Sequence, residues 1–123
     1  MDWNLLARIA RDEVRATLRS LPAALRDRAE QLPVTLERRP NRDLQKDGID
    51  ADTLGLFVGE AFPEDGWGSA PLPPQILLFL DNLWDFAEED EEIYREEIRT
   101  TLLHELGHYL GLDEIDLEDR GLE

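Results

Sequence analysis

Cysteine is absent from all 123 residues. That removes disulfides, thiolate nucleophiles and cysteine-ligated metal sites in one step. Long hydrophobic runs are missing too: Ile76 to Leu80 is followed at once by Asp81-Asn82, whereas a membrane-spanning helix needs about 20 apolar residues. Met1-Asp2-Trp3-Asn4 leads straight into an amphipathic pattern with no apolar leader core. Neither a signal peptide nor a membrane span is therefore predicted, and the cytoplasm is the expected compartment. Positive charge is also scarce. The formal net charge is −16, and residues 47–123 hold twenty-two acidic side chains against three basic ones, while residues 1–46 hold seven against ten. So acidic a C-terminal part repels phosphate backbones, which must be met by Lys and Arg, and nucleic acid is not an expected partner. Its field favours metal cations and positively charged peptides instead.

Only two histidines are present, and both fall in His104-Glu105-Leu106-Gly107-His108. On a helix, residues four apart point the same way, so the two imidazoles can meet one cation at about 2.0 to 2.1 Å from each nitrogen. Glu105 projects about 100° further round. It can therefore flank a cation without ligating it and accept a proton from water. Gly111 suits the left-handed conformation that ends a helix. A third ligand must then come from just beyond, where Asp113 and Glu114 both stand. Three protein ligands and an open fourth position describe a catalytic zinc site, not a structural one.

The length predicts one domain over residues 1–123. Residues 3–19 place Trp3, Leu6, Ile9 or Ala10, Val14, Thr17 and Leu18 at helical spacing, with arginines opposite. Ser20, two residues before Pro22, reads as a fresh N-cap for a short helix to about Gln31, completing a helical hairpin. Pro33 to Arg38 alternates as a strand does. From Pro40 to Asp52 the chain is polar, with Asp47-Gly48 as turn chemistry, and reads as a loop. Thr53 to Gly59 is a second strand, whose glycines signal a bulge or the close approach of another backbone. Pro63 to Pro74, around Trp67, reads as a packed surface loop. Gln75 to Leu80 reads as a third strand, buried on both faces and packed on the metal helix. Leu83 to Phe86 is a turn or brief helix. The acids at Glu88 to Glu92 suit the positive end of a helix that continues through Ile93, Ile98, Leu102 and Leu106. Glu97 and Thr100 or Thr101 share the histidine face as candidate partners for an imidazole N–H. Tyr109 falls on the buried side.

Four stretches together resemble the small bacterial zincin-like metallopeptidases of minimal metzincin type. They are the N-terminal helical segment ending in Ser20-Leu21-Pro22, the Leu54 to Gly59 strand, the Pro74 to Leu80 strand, and Thr101 to Glu114. The resemblance implies a minimal zincin-like α+β fold: N-terminal helices, a small three-stranded sheet, and a C-terminal active-site helix under it. It also implies zinc on His104, His108 and Glu114, with Glu105 as general base; Asp113 is the substitute third ligand. Two departures stand out. Larger metzincins follow the motif with a methionine-containing turn, whereas Met1 is the sole methionine here; and an acid occupies the third-ligand position where histidine is commonest.

Peptide-bond hydrolysis by a metal-activated water is the expected activity, on a peptide or protein substrate. Two rivals remain. One is a module that binds metal without cleaving. The other is a ribonuclease of the kind that carries spaced histidines on a helix, which would need three histidines and no glutamate after the first.

Overall fold

The computed structural model describes residues 1–59 and 74–110. Helix α1 (Trp3–Arg19) forms where Leu6, Ala7, Ile9, Ala10 and Thr17 make one buried stripe. Arg8, Arg11, Asp12, Arg15 and Arg19 stay in solvent on its other side. Ser20 closes α1 instead of opening α2 (Ala23–Glu30). Its hydroxyl donates to the Thr17 carbonyl at 2.7 Å, and Pro22 stands at the α2 N-cap with no side-chain bond. The reason is local: a serine hydroxyl meets the free carbonyls at a helix end as readily as the free amides at a helix start. Leu25 and Ala29 bury the inner side of α2.

Strand β1 (Val34–Glu37) follows, and then the expected loop proves to contain a helical turn, α3 (Arg42–Lys46). Its devices are complete despite its five residues. The Asn41 side chain accepts from Leu44 N–H at 2.9 Å. At the other end Gly48, at φ +97°, donates to the Gln45 carbonyl, while Ile49 donates to that of Leu44. That pair of bonds is the glycine-dependent helix stop, so Asp47-Gly48 is the cap of a helix and not a bare turn.

Strands β2 (Gly55–Val58) and β3 (Gln75–Phe79) complete a sheet of order β1-β3-β2. β3 pairs parallel with β1, Val34 opposite Ile76, and antiparallel with β2, Gly55 opposite Leu78. The central place of β3 explains its apolar run, but the two faces are not equally sealed. Ile76 and Leu78 are fully buried on one face, while on the other Phe79 is fully buried and Gln75 and Leu77 are half-covered. Leu80 does not belong to β3; it begins α4 (Leu80–Phe86) without a loop. Asn82 on α4 is buried, and its amide donates to the carbonyls of Ala51 (2.8 Å) and Thr53 (2.9 Å), fixing the approach to β2.

Glu88 and Glu89 take φ of 56° and 60°, turning the chain sharply into α5 (Glu91–Leu110). Asp90 caps it by accepting from Ile93 N–H at 3.0 Å, and Glu91 and Glu92 occupy its first turn. Helix α5 packs against α1, α4, β2 and β3. Tyr94, Ile98, Leu102 and Leu106 line its buried side. The described residues thus form an α+β fold of five helices and a three-stranded mixed sheet, with the histidine helix packed under the sheet. No described helix is long and apolar enough to cross a membrane.

Candidate metal centre

The last three turns of α5 combine a buried and an open side. Leu102, Leu103 and Leu106 are buried, whereas His104 and His108 are exposed. Burial of those leucines orients the helix, and the four-residue spacing then brings both imidazoles out together. Their Nε2 atoms lie 3.3 Å apart, with the ring planes at 73°. Tetrahedral coordination with about 2.0 to 2.1 Å bonds requires a nitrogen–nitrogen separation of about 3.3 to 3.4 Å. The two histidines thus already stand at the spacing a zinc-sized cation needs.

Glu105 differs from both. It is only 8% exposed, and its Oε1 accepts from the backbone N–H of Phe57 on β2 at 3.2 Å. Ligating atoms of His104, Glu105 and His108 all lie within 4.8 Å of one another, so the three can hold a metal ion or flank it. The Phe57 ring packs on Tyr109, the centroids 5.7 Å apart. Tyr109 is half-buried in that contact, on the side the helical spacing indicates.

Glu114 and Asp113, the expected third ligand and its substitute, lie outside the described residues, as do Gly111 and the loop around Trp67. Among the described residues no hydrogen bond joins Glu97, Thr100 or Thr101 to either imidazole, and Thr101 faces Gly55. Phe57 had no signal of its own, because its contribution is a backbone N–H. Gly55 did have one. Its glycine marks a close approach, tightest by the Thr101 side chain, with the Leu77 backbone carbonyl at contact distance.

The family model described as zincin-like metallopeptidase matches residues 29–122, from the end of α2 through both histidines and beyond. This chain belongs to the zincin-like metallopeptidases. No curated protein matches it. Membership in that family implies a divalent metal, and the two imidazoles with the neighbouring carboxylate fit one by their donor chemistry as well as their spacing.

Proposed function

We propose that this zincin-like chain is a zinc metallopeptidase that hydrolyses peptide bonds. In this reading His104, His108 and Glu114 hold the cation and Glu105 is the general base. The observation that carries it is the Nε2 pair 3.3 Å apart on α5, beside a carboxylate pinned to the adjoining strand. A bound divalent cation supplies Lewis acidity that makes water a usable nucleophile near neutral pH. Glu105 takes the proton of the attacking water on a carboxylate oxygen and passes it to the leaving amine nitrogen, so its orientation governs both transfers. Strand β2 is an outer strand of the described sheet and lies against α5. An extended peptide pairing with the outer-edge backbone groups that Glu105 does not occupy would be held beside it. Twenty-two acidic against three basic residues after position 46 favour peptides carrying positive charge.

The test is zinc content and turnover of unstructured peptides by the purified protein and by Glu105→Gln. Turnover is expected to fall in the variant by on the order of 10² to 10⁴, the usual contribution of general base catalysis, with zinc stoichiometry unchanged. Equal turnover by both would remove Glu105 from the mechanism. Stoichiometric zinc with no turnover across a broad peptide library would instead leave a metal-binding module.

A further inference from the structure

Thr101, Glu105 and Tyr109 are spaced four apart and form one stripe of α5, and all three meet β2. Thr101 faces Gly55, Glu105 accepts from the Phe57 amide, and Tyr109 packs on the Phe57 ring. The match has a simple origin. Four residues of helix rise about 6 Å, and two residues of strand advance about 6.6 to 6.8 Å, so helix and strand stay in step from Thr101/Gly55 to Glu105/Phe57.

The Phe57 N–H is available to Glu105 because of the sheet pairing. Phe79 N–H donates to the Leu54 carbonyl, which makes Leu54 and Phe79 a hydrogen-bonded antiparallel pair. Alternation then turns the backbone groups of Leu56 toward β3 and those of Gly55 and Phe57 toward the outer edge. On that edge the Phe57 amide lacks a strand partner among the described residues, and the Glu105 carboxylate takes the place of one.

How closely β2 approaches α5 is set at Gly55. A Cβ built there would collide with Cγ2 of Thr101, and would also lie 3.4 Å from the Leu77 carbonyl oxygen and from Leu78 Cδ2. The Thr101 methyl is not the far end of a flexible chain: it sits on Cβ and can move only with the whole χ1 rotamer, of which a helix leaves threonine two. A side chain at position 55 therefore displaces Thr101 or the strand itself, one turn before Glu105.

We infer that Gly55 is a positioning residue: its bare backbone lets β2 close on α5, so that the Phe57 N–H holds Glu105 Oε1 and leaves the other carboxylate oxygen for proton transfer. The inference rests on the peptidase reading for its catalytic consequence, but the contact itself can be measured without any turnover. Hydrogen exchange of the Phe57 amide, read by NMR, reports it directly, and zinc stoichiometry with kcat and KM on an unstructured peptide reports its effect.

In the unaltered protein the Phe57 amide is expected to be protected. Glu105→Ala should speed its exchange at least about tenfold, and so should Gly55→Ala, because each removes a hydrogen bond to a charged acceptor. Gly55→Ala should also lower kcat about tenfold to a hundredfold, as a displacement of about 1 Å does, with KM within about twofold and zinc stoichiometry retained. Adding Thr101→Ala to Gly55→Ala clears the colliding methyl and should restore both protection and kcat. Equal protection of the amide in Glu105→Ala overturns the contact. A normal kcat in Gly55→Ala despite lost protection, or a double variant as impaired or as unfolded as the single one, overturns the positioning role. Failure of the peptidase reading would look different: no turnover in the unaltered protein, with the exchange pattern intact.

Discussion

The Tyr94 hydroxyl donates to the Leu6 carbonyl at 3.0 Å, joining the helix that carries the histidines to the first helix of the chain. Tyr94 is fully buried, and its ring meets Trp84 edge-on at 5.4 Å. Burial, and then the charge of Asp81, push its pKa far above the ordinary tyrosine value. The folded protein therefore keeps this phenol neutral where the unfolded chain ionises it. Sign follows directly: below about pH 10 both states are protonated and nothing is lost, while above it the unfolded state gains and stability falls. Alkaline denaturation should show this loss between about pH 10 and 12, and Tyr94→Phe should flatten it. At neutral pH the same variant should cost about 1 kcal/mol in a urea melt, the net value of a typical buried hydrogen bond.

Metal should stabilise the fold through the histidine pair. Zinc at a hundredfold excess over its Kd adds about 2.7 kcal/mol by mass action, which a thermal melt detects and a chelator reverses. His108→Ala should abolish that zinc-dependent shift while leaving the metal-free melt within about 0.5 kcal/mol, because the side chain is exposed. A zinc-dependent shift surviving in the variant would place the ion elsewhere.

Asn82 donates two bonds, to the Ala51 and Thr53 carbonyls. Asn82→Ala strands both acceptors in a part-buried place and is expected to cost about 1 to 3 kcal/mol by denaturant unfolding. Unchanged stability would mean that water takes over both carbonyls.

Leu102 is completely buried on α5, on the side away from solvent that holds Ile98 and Leu106. Leu102→Ala should cost about 2 to 5 kcal/mol, the usual range for a leucine removed from a packed core. Its zinc stoichiometry, measured below the lowered melting point, should equal that of the unaltered protein.

Gly48 tests the cap of α3 in isolation. At φ +97°, with open space around it, Gly48→Ala meets no clash but a strained backbone, expected to cost about 1 kcal/mol in thermal stability. Zinc binding should not change.

Local order was readable and long-range order was not. The histidines could be placed on one helix face because their relation is a matter of 3.6 residues per turn, which needs no partner. Helices α1, α2 and α5 and strand β1 are legible for the same reason, each carrying its own apolar period, whereas β3 shows as a short unbroken apolar run. The sequence pattern does not reveal α3 because five residues hold less than two turns of it, although Asn41 and Gly48 carry both of its end signals. The apolar run places Leu80 in the strand and not in α4 because no polar or breaking residue separates Phe79 from it.

What the amino-acid order alone determined, then, is the chemistry: two imidazoles and a carboxylate at fixed angles around one helix, in an acidic chain without cysteine. Only the tertiary structure decided what Glu105 is tied to. Its acceptor oxygen meets a backbone amide 48 residues away, and every non-proline residue carries such an amide. Which of them arrives beside the carboxylate depends on the β1-β3-β2 order and on the gap at Gly55, both products of chain segments packing together.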